Sequence, residues 1–371
     1  MNKGFLTSTQ DFNIITPLNQ LGYGLTGINI VKSLAELGHN IALFLLGNPD
    51  VPYAYQEVLK MCFENSKMPN FDAPCIRIWH QHDMAEFVGN GTKIGFPIFE
   101  LNRFIPQELH HLSNPDKYFV CSQWAKDILV NNLYDHYKWD DVEQRTHVIP
   151  LGVDRSIFRE NISPRKETVF MNVGKWEIRK GHDILVKAFN KAFEPEDNVE
   201  LWMMCDNPFY PKEENFQWER TYNGSGLGDK IRMIPRQETQ KEVYNIMIQA
   251  DCGVFPSRAE GWNLELLEMM SCGKSVIATN YSAHTEFCND ENCMLVETDE
   301  LEDAHDGKWF RGQGQWAKID EKQIDQLVEH MRSVHKLKQN DDLKINQEGI
   351  ETAKKFTWEN TAKSIVEATK E

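Results

Sequence analysis

Glu260 and Glu268 stand with seven residues between them in the stretch Pro256-Ser257-Arg258-Ala259-Glu260-Gly261-Trp262-Asn263-Leu264-Glu265-Leu266-Leu267-Glu268. The surrounding pattern sets where each carboxylate sits. Cys252 to Phe255 is an apolar run of strand type, Pro256-Ser257 ends it, and Leu264, Leu267, Met269 and Met270 mark a helical apolar face that Gly273 stops. Glu260 therefore falls in a turn and Glu268 inside a helix. The backbone N–H groups of Gly261, Trp262, Asn263 and Leu264 point out of that helix's N-terminus, where unpaired donors and the macrodipole favour an anion such as a diphosphate. At ~1.5 Å rise per residue the carboxylates lie up to about 12 Å apart, roughly the reach from the sugar of a nucleotide-sugar to its ribose. An isolated pair of glutamates would more often be the solvated face of an amphipathic helix; the strand patterns on both sides weigh against that.

Three other groups of residues could do chemistry. Gly174-Lys175-Trp176-Glu177-Ile178-Arg179-Lys180-Gly181 follows a strand pattern and opens a helical one, gathering backbone N–H groups and two or three cations where a phosphate fits. Trp79-His80-Gln81-His82-Asp83 ends an apolar strand, the edge at which ligands bind in open α/β sheets. Paired histidines also suit a metal, but no third ligand stands at a recognisable spacing and no Asp-x-Asp occurs in the chain; packed or merely exposed histidines are the competing reading. Gly22-Tyr23-Gly24-Leu25-Thr26-Gly27 spells the dinucleotide fingerprint, with Asp50 near where its ribose-binding acid belongs. The first strand reads as Phe5 to Thr9, however, so the residues from Thr9 to Leu21 intervene, whereas the fingerprint follows its strand immediately.

The elements that must hold these groups alternate. Leu25 to Leu37 reads as an amphipathic helix, and Ile41 to Leu46, Cys75 to Trp79, Lys93 to Phe96, Tyr118 to Cys121 and His147 to Ile149 as strands. A polar stretch from Asp154 to Glu167 breaks the series; a second begins with a strand at Thr168 to Val173 and a helix at His182 to Phe193. Strands separated by helices imply parallel, doubly wound sheets. Segments 208–228 and 302–318 read as inserted loops, surface elaboration or an acceptor-binding lid. A chain of 371 residues is long enough for two cores. Its net charge of −16, with no basic stripe, argues against non-specific affinity for nucleic acid or anionic lipid. No early apolar run is long enough to span a bilayer. Eight scattered cysteines without Cys-x-x-Cys suggest buried free thiols in a reducing cytoplasm.

Glu-Gly-Trp-Asn-Leu-x-x-x-Glu resembles the signature of retaining glycosyltransferase family 4, which carries Glu-Gly-Phe-Gly-Leu and a second Glu at this spacing. Ala250 to Ser257 and Ser271 to Thr279 resemble that family's flanking strands, Leu151-Gly152-Val153-Asp154 its interdomain junction, and Lys355 to Ala362 its closing Phe-Ser-Trp-x-x-x-Ala stretch. The resemblance covers most of the chain and is strongest from about residue 147 onward. It implies the GT-B architecture, an α/β fold of two Rossmann-like doubly wound domains facing each other across a cleft. Residues 1–153 would be the acceptor-side domain, 154–350 the donor-side domain, and 351–371 a C-terminal helix crossing back to the first.

The resemblance also implies roles. Glu260, His82 and Lys180 are the expected catalytic residues: Glu260 holds the transferred sugar's hydroxyls and His82, preferred to His80, faces the sugar from the first domain. Glu268 takes the ribose, Gly261, Trp262, Asn263 and Leu264 offer backbone to the donor, and Gly24 belongs to a loop whose backbone faces the donor phosphate. Lys175 and Lys180 bind the diphosphate; Lys180 matches the family residue, whereas Lys175 replaces an Arg and loses its bidentate fork. The implied reaction is retaining transfer from a nucleoside diphosphate sugar, with no metal and no cofactor beyond that co-substrate. The acceptor stays open among glycan, small molecule, lipid-linked glycan, protein and a modified DNA base of the kind phage GT-B enzymes glycosylate. A catalytically silent nucleotide-sugar-binding protein and an NAD-dependent oxidoreductase are the alternatives.

Overall fold

The computed structural model describes residues 9–51 and 53–371. The chain divides into two compact units: one running up to Phe99 with Phe104–Leu151 and Trp358–Glu371, the other Glu100–Arg103 with Gly152–Thr357.

The first unit comprises β1 (Asp11–Thr16), α1 (Gly22–Glu36), β2 (Asn40–Leu45), α2 (Gln56–Asn65), β3 (Cys75–Trp79), β4 (Lys93–Pro97), α3 (Pro106–Leu112), β5 (Lys117–Val120), α4 (Gln123–Tyr137) and β6 (Thr146–Val148). Its sheet is parallel with strand order β2-β1-β3-β4-β5-β6. The order reverses between β1 and β3, so the loops leaving those two strands open beside each other. They carry Gly22–Gly27 and Trp79–Asp83.

The second unit comprises β7 (Thr168–Gly174), α5 (His182–Ala192), β8 (Val199–Cys205), α6 (Lys212–Asn223), β9 (Ile231–Met233), α7 (Gln240–Met247), β10 (Cys252–Phe255), α8 (Leu264–Ser271), β11 (Ser275–Thr279), β12 (Met294–Val296), β13 (Leu301–His305), β14 (Arg311–Ala317), α9 (Glu321–Gln339) and α10 (Gln347–Lys355). Six of these strands form a parallel sheet in the order β12-β11-β10-β7-β8-β9, the doubly wound Rossmann arrangement. Buried strands such as Cys252-Gly253-Val254-Phe255 read as unbroken apolar runs because a parallel sheet is covered on both faces. Phe170, Leu185, Phe189, Leu201, Leu327 and Met331 form the centre of the core. Here the order reverses between β7 and β10, which sets the Gly174–Gly181 and Pro256–Asn263 loops side by side.

Several expectations need correction. The strand expected at Phe5 to Thr9 lies, apart from Thr9, outside the described residues, and Thr9 is not in a strand. Among the described residues the first strand is Asp11–Thr16, so only Pro17 to Leu21 separate it from Gly22, and the distance argument against a dinucleotide fingerprint falls. Asp11 and Asn13 disguise the strand; Asn13 is buried because its amide donates to the Asn70 carbonyl at 2.9 Å. The supposed loop 208–228 contains α6, whose Trp218 and Tyr222 face inward at i, i+4 spacing among charged neighbours that hide the period. Segment 302–318 is an antiparallel hairpin, β13 with β14, around buried Ala304 and Trp316.

The single helix expected at 351–371 is two. Residues 356–357 break it because the Phe356 carbonyl accepts from Val153 N–H at 3.1 Å while its ring packs on Trp262 and Phe287. After the break, α11 (Trp358–Lys370) belongs to the first unit, where Thr361 donates to the Pro150 carbonyl at 2.7 Å. All eight cysteines are free and buried. Among the described residues no helix is long and apolar enough to cross a membrane.

Candidate active site

The second unit's reversal point gathers an alternating row of charges. Gly181 makes this possible: it adopts φ 73°, and a Cβ there would stand 2.1 Å from the Pro256 carbonyl oxygen, so only glycine lets the two loops touch. Arg258 N–H then donates to the Arg179 carbonyl at 2.6 Å. The Arg179 guanidinium donates through Nη1 to the Ala259 carbonyl and to Glu260 Oε2, both at 2.7 Å, and through Nη2 to Glu177 Oε2 at 2.7 Å. Lys180 Nζ lies 2.9 Å from Glu260 Oε1, and Ser257 Oγ donates to the same oxygen at 2.8 Å. Lys175 Nζ pairs with Glu177 Oε1 at 2.8 Å. Thus Lys175, Glu177, Arg179, Glu260 and Lys180 run plus, minus, plus, minus, plus, with Glu100 3.9 Å from Arg179 Nη2.

These pairings fix protonation. Burial pushes the Glu260 carboxyl up, but Arg179 and Lys180 outweigh it and hold it far below the usual range. Glu177 behaves likewise: burial opposes ionisation, yet Arg179, Lys175 and Lys180 bring it down to about 2. Glu100 is pushed up by burial, with Glu177 and Glu260 adding to it and Arg179 and Lys175 only partly offsetting it. Lys180 is penalised by burial and raised, on balance, by Glu260 and Glu265. A carboxylate offers about four lone-pair sites. Lys180 and Ser257 fill those of Glu260 Oε1 and Arg179 fills one of Oε2, which leaves a single place on Oε2 for a ligand hydroxyl.

The turn into α8 is rigid. Asn263 takes φ 86°, a left-handed conformation that Asn tolerates, and caps the helix by accepting from Leu266 N–H at 3.2 Å. Its amide also contacts His284 Nε2 at 2.9 Å, while His284 Nδ1 faces the Thr279 carbonyl at 2.9 Å. Burial lowers the His284 pKa and keeps the ring neutral, which suits one donor and one acceptor nitrogen. The Trp262 side chain turns inward onto Phe287 and Phe356. Inside the helix, Glu268 is buried and its carboxyl has no hydrogen-bond partner among the described residues; burial, then Glu265, pushes it well above the usual range.

Of the residues singled out in the sequence, Glu260, Gly261, Trp262, Asn263, Leu264, Glu268 and Lys180 share the two contacting loops and α8, with Lys175 one carboxylate further along. Lys175 sits over the Phe209 ring at 5.4 Å. Gly24 and His82 belong to the first unit. Gly24 is buried in the first turn of α1, where a Cβ would meet Asn19 at 2.3 Å, so helix–loop packing already requires glycine there. His82 is exposed and stacks on His80 at 5.0 Å, and His80 Nδ1 meets Tyr23 Oη at 2.8 Å. The turn bearing both histidines is shaped by buried Arg77, which pairs with Asp83 at 2.7 Å. Sequence reasoning missed Arg179, Glu177, Ser257 and Glu100. The one available signal was a second cation beside Lys180 in a loop expected to follow a strand.

Residues 167–306, all in the second unit, match the family model "Glycosyl transferases group 1". An uncharacterized glycosyltransferase of Methanocaldococcus jannaschii is 26% identical over 250 residues, 67% of this chain and 57% of that protein. The chain spans about half the length of the curated relatives it matches. Sucrose-phosphate synthase from Thermosynechococcus elongatus superposes with a TM-score of 0.69 at 15% identity, covering 96% of this chain and 98% of that one. HepE of Anabaena, solved in complex with UDP-glucose, gives 0.68 at 14% identity over 96% and 98%. These neighbours have the GT-B fold, built of two Rossmann-like α/β units, and that is the fold of this chain.

Proposed function

We propose that this chain is a retaining, metal-independent glycosyltransferase that moves a sugar from a nucleoside diphosphate sugar to a hydroxyl acceptor. One observation carries the reading. Around the N-terminus of α8, one buried carboxylate (Glu260) is held ionised by two cations with one lone-pair site left over, while a second residue, Glu268, is 8% exposed and its carboxyl makes no hydrogen bond among the described residues. Groups kept for stability alone would both be paired, because an unpaired buried polar group costs free energy. A donor lying across this turn completes both: one sugar hydroxyl at Glu260 Oε2, the ribose hydroxyls at Glu268, and the diphosphate at the helix N-terminus with Lys180 and Lys175. The glycosyltransferase family match over these loops and a fold neighbour solved with UDP-glucose support the same donor class.

Glu260 is poorly placed to be a nucleophile, since both its oxygens are engaged by cations. We therefore take the anomeric carbon–phosphate oxygen bond to break as the acceptor oxygen bonds to that carbon on the same face, its proton passing to the departing phosphate oxygen. The cations stabilise the developing phosphate charge. Gly24 and His82 are assigned to the donor phosphate and sugar on the family resemblance. Eight unbridged cysteines support a reducing compartment, the cytoplasm.

A thermal-shift screen of nucleoside diphosphates, sugar nucleotides and nicotinamide dinucleotides tests the class. A nucleoside diphosphate at 100 times its dissociation constant should add about 2.7 kcal/mol of stability. Donor turnover should survive EDTA. A response to nicotinamide dinucleotides alone, or loss of turnover with EDTA that Mn²⁺ or Mg²⁺ restores, would overturn the class or the metal independence respectively.

A further inference from the structure

The hairpin of β13 and β14 and the α6 segment are joined to each other and to the charged row. At its base the hairpin is anchored by Arg258, which donates to Glu302 at 3.0 Å, to Asp183 at 2.9 Å and to the Ile178 carbonyl at 2.6 Å. Trp316 is buried with Ala259, the residue before Glu260, and Ala317 N–H donates to the Arg258 carbonyl at 2.9 Å. At its tip, Asp306 Oδ1 accepts from the N–H groups of Lys308, Trp309 and Phe310, which fixes the turn. Lys308 reaches α6, pairing with Glu214 and lying 4.0 Å above the Tyr210 ring. Tyr210 in turn lies within electrostatic reach of Glu177, and its neighbour Phe209 carries Lys175 over its ring.

Both segments present aromatic rings to solvent. Phe209 is 59% exposed, Phe216 49% and Trp309 54%, and among the described residues of the second unit these are the exposed aromatic side chains. Phe209 precedes Tyr210 and Trp309 follows Lys308, the pair whose contact ties the two segments together, and exposed apolar groups gathered on one surface mark ligand sites. Charges accompany the rings: Lys175 over Phe209, and Lys308, paired with Glu214, next to Trp309 in the chain. An acyl chain needs continuous apolar surface and would have to desolvate those charges. A nucleic acid needs a basic surface, and segments 208–228 and 302–318 together hold five basic against six acidic side chains. A sugar ring fits both features, because its C–H face packs on an aromatic face while its rim hydroxyls bond to charged groups.

We propose that Trp309 and Phe209 form an acceptor subsite for a carbohydrate, so that the acceptor of this transferase is a glycan. The subsite rests on the glycosyltransferase reading for its role but not for its existence. Lys308 is the positioning residue, holding the hairpin tip against α6.

The test uses the full chain saturated with a nucleoside diphosphate and a panel of methyl glycosides and trisaccharides. Binding is read by tryptophan fluorescence and saturation-transfer NMR. At least one sugar should bind, Trp309→Ala and Phe209→Ala should each weaken it at least tenfold, and Trp309→Ala should leave nucleoside diphosphate affinity unchanged. Lys308→Ala should weaken it with both rings intact. No binding by any panel sugar, or binding indifferent to both ring substitutions, would overturn the subsite. So would a wild-type dimer that either ring substitution converts to monomer, since the rings would then belong to a second copy. If sugars bind through the rings but no nucleoside diphosphate binds at all, the donor reading fails and the subsite stands.

Discussion

Glu268 offers a substitution that should stabilise the protein while disabling it. Glu268 is 8% exposed in α8, its carboxyl makes no hydrogen bond among the described residues, and burial, reinforced by Glu265, pushes its pKa up. An unsatisfied buried polar group costs about 1–3 kcal/mol, and replacing it by an apolar group of similar shape recovers that cost. Glu268→Met keeps the length and helix propensity of the side chain. In a domain of 150–250 residues 1 kcal/mol moves Tm by about 2–4 °C, so the variant should melt about 2–12 °C higher without ligand. The pH dependence has a definite sign. A carboxyl whose folded pKa is raised keeps its proton while the unfolded chain releases it, so its contribution to stability is full below the ordinary carboxylate pKa of 4.5 and is lost as pH rises toward the folded value. The advantage of Glu268→Met should therefore be smallest near pH 4 and grow toward pH 8. In exchange, nucleoside diphosphate affinity should fall by about 0.5–1.5 kcal/mol, the net scale of a hydrogen bond to an uncharged group. Calorimetric melting across this pH range, with and without nucleoside diphosphate, reads both effects. A variant less stable than wild type at pH 8, or one that binds nucleoside diphosphate as tightly, would refute the reasoning.

Other substitutions separate the cations. Arg179→Lys keeps the charge but not the fork that bridges Glu260 and Glu177, so donor turnover should fall and its acidic limb should move to higher pH as Glu260 loses part of what holds it ionised; an unmoved limb in the pH–rate profile would mean Lys180 alone sets that carboxylate. Arg179→Met removes the cation shared by two buried carboxylates, leaving Glu260 to Lys180 and Glu177 to Lys175, and should cost about 3–5 kcal/mol in a denaturant melt. Lys180→Ala should weaken nucleoside diphosphate binding by calorimetry more than Lys175→Ala, because Lys180 is buried against the turn into α8 whereas Lys175 is held by Glu177. Equal or reversed losses would reassign the phosphate ligand.

The parallel sheets were legible because doubly covered strands such as Thr168–Gly174 and Cys252–Phe255 are unbroken apolar runs, and because Gly181 and Gly273 punctuate the helices beside them. Asp11–Thr16 escaped because a buried Asn satisfied by a loop carbonyl looks, in sequence, like a turn residue. The inserts escaped for a related reason: α6 has few apolar residues on its inner face, and the glycine-rich hairpin is held by Trp316 and Ala304 rather than by alternation. In the site, the motif placed Glu260 in the turn and Glu268 in the helix, and the Gly174–Gly181 segment brought in Lys180; a second adjacent cation was the one sign of Arg179, and nothing separated Glu177 from an ordinary solvated charge. Only the contact that Gly181 permits between two loops some eighty residues apart makes Arg179 a partner of Glu260 and links Glu177 to it through the guanidinium.

The central claim is that Glu260 serves the transferred sugar and not the nucleoside diphosphate. Glu260→Gln removes charge with little change of shape and leaves Arg179 bound to Glu177 and the Ala259 carbonyl, so the chain should fold, less stable by about 1.5–3 kcal/mol. Nucleoside diphosphate affinity and initial rate of donor consumption, measured on this one variant, decide the matter. The expected result is affinity unchanged or tightened, since Lys180 loses a competing carboxylate, while the rate collapses. Loss of nucleoside diphosphate binding with the rate preserved would contradict the account.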